Sequence, residues 1–256
     1  MDESALSNSP AFHPAVLIPV FDHENAIAST LEKVLEHDCP VLLVDDGSGK
    51  TCRELLVALC EKNSSRVKLL QLAKNGGKGA AVKAGFNLLL ADGYSHAIQV
   101  DADGQHNISD VPKFIEKGRS HPEYMVSGYP EFHGDIPRLR FYGRYLTHIW
   151  VWINTLSFAI RDSMCGFRLY PLAAVVKLLE QEHCGNRMDF DTEIIVRWYW
   201  RGGKILNLPT RVHYPLDGVS HFDVWKDNLL ITLMHTRLFF GMLYRLPGIL
   251  WKRFHG

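Results

Sequence analysis

Four short apolar runs, each leading into a cluster of polar residues, constrain this chain more than any other feature. Residues 15–20, 41–44, 67–70 and 96–100 are too short for core helices and too apolar for loops, so they predict buried strands. Between them, residues 26–37, 51–62 and 80–91 place apolar side chains at helical spacing, as Ile27, Leu31, Val34 and Leu35 do in the first. Strand and helix in alternation predict an α/β fold: a mostly parallel, Rossmann-like sheet with helices on both faces. Such sheets bind ligands beyond the carboxyl ends of their strands. The polar clusters at 19–24, 45–48 and 101–106 all follow strands and are expected to line one crevice.

Past residue 130 the pattern changes. Residues 137–160 predict a basic-then-aromatic helix, 162–168 a turn-rich segment, and 173–181 and 190–200 two more helices. Strands are expected at 204–208 and 212–214, and a helical, apolar stretch from 222 to the end, broken by Gly241 and by Pro247 with Gly248. A length of 256 residues fits one such domain with an appendage. The expected division is a flexible lead-in at 1–14, a domain at 15–221 and amphipathic helices at 222–256.

Lys plus Arg and Asp plus Glu both number 28, so the chain lacks the basic excess of a dedicated nucleic-acid binder. Residues 222–256 nevertheless carry a net charge of +3, leaving −3 for the rest. With Trp225, Leu229, Leu233, Phe239, Phe240 and Trp251 in the same stretch, the tail suits a helix lying in a membrane interface. A helical hairpin packed on the domain, or a dimer contact, is the alternative. The longest apolar stretch before the tail, 145–160, contains His148 and Asn154 and is too short to span a bilayer. The polar, acidic N-terminus lacks the pattern of a signal peptide. Five cysteines without C-x-x-C spacing argue against a zinc or disulfide scaffold and for a reducing, cytoplasmic setting.

Two tempting motifs fail on spacing. Gly47-Ser-Gly-Lys-Thr51 lacks the leading glycine of a phosphate loop, since Val44 stands five residues before Gly49. Gly77-Lys-Gly79 lacks the third glycine of a dinucleotide fingerprint, where Val82 stands. Asp101, Asp103 and Gln105 are more informative: two carboxylates and an amide at a strand end supply hard oxygen ligands for Mg²⁺ or Mn²⁺. A turn with solvated carboxylates is the bland alternative. Asp45 and Asp46 serve either as turn and cap acids or as acceptors for a base N–H. Lys78, in a glycine-rich loop, is either a surface lysine or a phosphate ligand.

In order along the chain, Val16-Leu-Ile-Pro-Val-Phe21, Val44-Asp-Asp-Gly-Ser48, Asn75-Gly-Gly-Lys-Gly-Ala80, Asp101-Ala-Asp-Gly-Gln-His106 and Cys165-Gly-Phe-Arg168 closely resemble the inverting glycosyltransferases of family 2. The resemblance covers about residues 15 to 215 and is nearest the dolichol-phosphate mannosyltransferase-like branch. It implies a GT-A fold and a metal-dependent, inverting transfer from a nucleotide-diphosphate sugar to a lipid or lipid-linked acceptor. The setting it implies is peripheral, on the cytosolic face of a membrane. Pro19 and Glu24 then match the first nucleotide-contacting segment, Asp46 with Asp45 the base-reading acid, and Lys78 and Gly79 the loop near the phosphates. Asp101, Asp103 and Gln105 match the metal and diphosphate site, with Asp103 the direct ligand, and Arg168 faces a phosphate. Asp191 and Glu193 match an acidic pair that serves as general base where the acceptor is a hydroxyl. One departure stands out: His221 replaces the lysine of a Ser-Lys pair, so a fixed positive partner for an acceptor phosphate is missing there. Arg138, Arg140, Arg144 and Arg161 are candidates to supply it. A non-catalytic nucleotide-sugar-binding scaffold and a nucleotidyltransferase are the alternatives. Intact Asp101, Asp103, Gln105 and Arg168 weigh against the first, and the absence of a glycine-rich loop after the first strand against the second.

Overall fold

A computed structural model describes residues 11–131, 138–212 and 224–255, with side chains for 11–131, 142–212 and 225–248. The first half follows the predicted alternation: β1 (Pro14–Val20), α1 (Glu24–Leu35), β2 (Val41–Asp45), α2 (Lys50–Lys62), β3 (Val67–Gln71), α3 (Lys78–Ala91) and β4 (His96–Gln99). Then come α4 (Val111–Ser120), β5 (Met125–Glu131), α5 (Arg138–Thr155), β6 (Arg168–Pro171), α6 (Leu172–Gln181), α7 (Phe190–Trp200), β7 (Ile205–Arg211) and α8 (Val224–His255).

The seven strands form one sheet in the order β3-β2-β1-β4-β6-β5-β7. Among the described residues only β6 runs against its neighbours, β4 and β5; the other strand pairings are parallel. From β1 the chain winds outward through β2 and β3, then returns to lay β4 on the other side of β1. The direction of winding therefore reverses between β1 and β4, the place where open α/β sheets form a ligand crevice.

Alternation along each strand divides the core into two layers. Val16, Ile18, Val41 and Leu43 pack with α1, α2 and α4; Ala15, Leu17, Leu42 and Val44 pack with α3, α6 and α7. Strands buried on both faces are near-continuously apolar, which is why these runs stood out.

Several features differ from expectation. Helix α4 and strand β5 were not anticipated, although Pro112 follows the acidic Asp110 and Val111, Phe114 and Gly118 share a buried helical face. The strand expected to stop before Pro209 continues through it as β7; β7 lies at the sheet edge, where a missing N–H leaves no ladder bond unmade. Val212 forms only a bridge to His106, and residues 213–214 lie outside the described residues.

The tail is one continuous helix rather than pieces. Gly241 does not break it; a side chain there would stand about 3.0 Å from the Trp200 ring, so the glycine lets α8 approach α7 closely. Pro247 removes one helical hydrogen bond, and burial of Met234, Leu238 and Met242 one to three turns earlier offsets that cost. Among the described residues no helix is long and apolar enough to cross a membrane.

Candidate functional site

The site lies beyond the ends of β1, β2 and β4. Asp46, just past β2, accepts hydrogen bonds from the backbone N–H groups of Gly76 and Gly77, each at 2.8 Å. These two bonds fix the turn that starts α3. Gly77 takes φ +97°, and a Cβ there would stand 2.5 Å from the Asn186 carbonyl, so only glycine fits. The turn delivers Lys78 to the centre of the site. Its Nζ lies 2.7 Å from Asp101 Oδ1 and 2.7 Å from Asp191 Oδ2. Gln99, the last residue of β4, donates to Asp191 Oδ1 at 3.1 Å, and His106 Nε2 lies 3.2 Å from Asp101 Oδ2. Gly166 closes the cluster from above: a Cβ there would meet both Asp101 oxygens and the Lys78 ammonium at 2.6 Å.

Electrostatics follow from this packing. Burial disfavours charge on Lys78, but the carboxylates of Asp101 and Asp191 outweigh it and hold the ammonium well above the usual lysine range. Burial likewise opposes charge on Asp101, and Lys78 with His106 outweighs it, holding that carboxyl well below the usual range. Asp103 shifts the other way. Burial pushes it up, the neighbouring Asp101 charge adds to this, and the N–H of Gln105, 3.0 Å from Oδ1, only partly opposes it.

Asp103 is thus the carboxylate of the cluster with the least countercharge, and that is where a divalent cation fits. Among the described residues no group of three His, Cys, Asp or Glu side chains converges as a closed metal cage. The donor set suits a cation held by Asp103 and completed by ligand oxygens; Asp101 is already engaged by Lys78 and His106. Gln105 brings its backbone N–H to Asp103.

Several expected ligand contacts are instead internal, and the reasons are geometric. Asp46, expected as the base-reading acid, has each oxygen bonded to the glycine turn and so shapes that turn. Asp45 caps the turn after β2 through the Ser48 N–H at 2.8 Å, with Arg53 3.5 Å from its other oxygen. Arg168, expected to face a phosphate, lies in the protein interior. It is fully buried, because β6 sets it opposite Gln99, and it donates to the Ser163 carbonyl at 2.6 Å and to the Asp191 carbonyl. Glu193 cannot act as a base toward the crevice: it is fully buried and bonded to Arg197, Arg237 and the Gly185 N–H. Of the acidic pair on α7, only Asp191 reaches the cluster. Gly79 packs under Phe190 and the Gly185 carbonyl, away from open solvent.

Pro19 is buried in β1 opposite Val44. Glu24 opens α1, and its Oε2 is buried without a hydrogen-bond partner. Arg144 is not available to an acceptor phosphate; it grips Asp162 bidentately at 2.6 and 2.9 Å. Arg161 remains exposed, donating to the Tyr129 hydroxyl at 3.0 Å. The side chain of Arg140, and His221 altogether, lie outside the described residues. Sequence reasoning passed over Gln99, His106 and Gly166. Gln99 had a signal, an amide ending an otherwise apolar strand; the contact of Gly166 with Asp101 had none.

The sequence profile described as Glycosyl transferase family 2 matches residues 15–175. The dolichyl-phosphate beta-glucosyltransferase of Mus musculus is 30% identical over 211 residues, covering 73% of this chain and 63% of that protein. The chain thus spans somewhat under two thirds of the length of that relative. Two solved structures share the fold at 15% identity. Staphylococcus aureus TarS in complex with UDP-GlcNAc matches with a TM-score of 0.59 over 88% of this chain and 66% of that one. The mannosyltransferase PcManGT from Pyrobaculum calidifontis, in complex with GDP-Man and Mn²⁺, matches with a TM-score of 0.57 over 82% and 59%. The architecture built around the β1–β4 crevice is a GT-A fold, and the chain belongs to glycosyl transferase family 2.

Proposed function

We propose that this protein transfers a sugar from a nucleotide-diphosphate sugar to a lipid phosphate at a membrane surface, with inversion at the anomeric carbon. One observation carries the choice of acceptor. Of the candidate bases, Asp191 is tied to Lys78 and Gln99, and Glu193 is sealed by two guanidinium groups. A hydroxyl acceptor must lose its proton as it attacks; a phosphate is already ionised. An acidic pair on α7 with neither member free to take that proton suits the second. The naming of the mouse relative as a dolichyl-phosphate beta-glucosyltransferase supports the same acceptor class.

In the proposed reaction an acceptor phosphate oxygen bonds to the anomeric carbon from the face opposite the donor diphosphate. The bond from that carbon to the diphosphate oxygen breaks, and the nucleoside diphosphate leaves with the electron pair. Asp103 would hold Mg²⁺ or Mn²⁺, which when bound offsets negative charge on the leaving diphosphate. Lys78 holds the carboxylates of Asp101 and Asp191 in place, so the wall facing the donor is preorganised. The unpartnered Oε2 of Glu24 supplies an acceptor for a donor hydroxyl or base N–H.

Membrane contact is supported by two outward apolar stripes. On α5 the stripe includes Leu146, Ile149 and Ile153, with Phe158 just beyond; on α8 it includes Leu229, Leu233 and Phe240. Leu229 and Phe240 are 62% and 65% exposed, whereas soluble helices turn such faces inward.

The deciding experiment screens UDP-, GDP- and CDP-sugars for thermal stabilisation with and without Mn²⁺. Each stabilising donor is then offered polyprenyl phosphate and the matching polyprenol. Product is expected only from the phosphate, only with a divalent cation, and not from Asp103→Ala. Transfer to polyprenol would overturn the acceptor assignment, and full activity of Asp103→Ala the metal assignment.

A further inference from the structure

The buried carboxylate of Glu193 is joined to three separate segments. Its Oε1 accepts from Arg197 on the same helix, at 2.6 Å from Nη2. Its Oε2 accepts from Arg237 Nη2 on α8 at 2.8 Å and from the Gly185 N–H at 2.8 Å. One oxygen atom therefore binds both the C-terminal helix and the loop that precedes α7.

That loop in turn presses on the turn that carries Lys78. The Asn186 carbonyl accepts from the Ala80 N–H at 3.0 Å, and Asn186 Oδ1 accepts from Lys83 at 2.8 Å. Gly77 has no room for a Cβ beneath Asn186 and Arg187, nor Gly79 beneath Gly185 and Phe190. A shift of residues 185–187 would thus displace the first turn of α3, and Lys78 with it. The path from α8 to the site is short, each step a contact or a chain bond: Arg237, Glu193, Gly185, Asn186, Gly77, Lys78, Asp101.

We propose that Arg237 is a positioning residue for the site, acting through Glu193 and residues 185–187 on the glycine turn that holds Lys78. Seating of the outward-striped helix α8 then sets the geometry of the donor crevice, although Arg237 touches neither substrate. For its kinetic consequence this rests on the sugar-transfer reading above; for its structural consequence it does not.

Hydrogen exchange on the full chain tests it. In Arg237→Ala, amides at 75–80 and 184–187 are expected to exchange at least about tenfold faster, while β1 to β3 keep the wild-type rate; a merely local bond would not produce this pattern. Arg237→Lys, which keeps the charge, is expected to restore most of the protection. With whichever nucleotide sugar stabilises the wild type, Arg237→Ala is expected to raise the donor KM and to lower kcat. Acceleration confined to α8, or spread evenly over the sheet, would overturn the proposal. Should Arg237→Ala not fold, Arg237→Gln is read by the same exchange. A wild-type protein that transfers no sugar would defeat the proposed function and leave the exchange result to decide this one.

Discussion

The ammonium of Lys78 lies 2.7 Å from the carboxylate of Asp191, and neither side chain reaches much solvent. The two residues come from opposite halves of the chain, and their meeting gives the site its floor. Removing one partner of a buried pair leaves the other charge uncompensated, at a cost of about 3–5 kcal/mol. Lys78→Met is therefore expected to lower unfolding stability by an amount in that range at neutral pH. Part of the loss should return as pH falls toward the carboxylate range, because Asp101, no longer held down by Lys78, can then be neutralised. Urea titrations at neutral and mildly acidic pH measure both effects; an unchanged midpoint would show that the lysine is not a buried countercharge.

Gly166 is expected to tolerate no side chain. Its Cβ would sit 2.6 Å from Lys78 Nζ and from both oxygens of Asp101. The collision is with the working groups rather than with the core. Gly166→Ala should keep a cooperative thermal transition while losing about 100-fold in transfer, the size of effect that a displacement of about 1 Å produces. Circular dichroism and a radiolabelled transfer assay read the two quantities.

Acid should unfasten α5. Burial opposes charge on Asp162, yet His148 and Arg144 outweigh it and hold its carboxyl well below the usual range. A carboxyl depressed in the folded state stabilises the protein above its unfolded value, about pH 4, and loses that contribution as pH falls further toward its folded value. Asp162 also accepts from the N–H groups of Met164 and Cys165, so the segment leading to Gly166 depends on it. Asp162→Asn is expected to be less stable at pH 7 and to show a flatter acid limb. Parallel slopes for variant and wild type below about pH 4 would remove the assignment.

Membrane binding is expected to be apolar rather than electrostatic. The five basic residues of the tail suggested attraction to anionic lipid, but two of them are engaged: Arg237 is bonded to Glu193, and Arg245 lies 4.7 Å over the Trp200 ring and 3.6 Å from Glu182. Their charge is turned toward the protein. Liposome co-sedimentation should therefore survive a rise to about 0.5 M salt, where exposed charges are screened within a few ångströms. It should be lost in the double variant Leu233→Asp, Phe240→Asp. Salt-sensitive binding that ignores these two substitutions would favour an electrostatic contact.

Much of the first half was legible because its signals are local. The apolar runs of β1, β2 and β4 mark strands buried on both faces, and the motif order marks the family. Helix α4 and strand β5 escaped because their patterns are short and mixed; continuity of α8 through Gly241 escaped because it depends on Trp200, distant in sequence. In the site, Asp101, Asp103 and Lys78 could be named from their strand ends and their loop. What each one does could not be named. Asp46, Arg144 and Glu193 belong to the residue types that bind ligands, yet each has partners inside the protein, and Arg168 is buried with two backbone carbonyls as partners and its Nε unpaired.

The sequence by itself determined the α/β class, the crevice at the strand ends and the family, since period, burial and motif order are properties of neighbouring residues. Only the tertiary structure decided which charged groups remain free for a ligand. A carboxylate or guanidinium is committed by whatever lies within about 3 Å of it, and here those partners arrive from segments scattered along the chain. Glu193 reads as a base and is a fastening point; Asp103 reads as one acid of a pair and is the one left with the least countercharge.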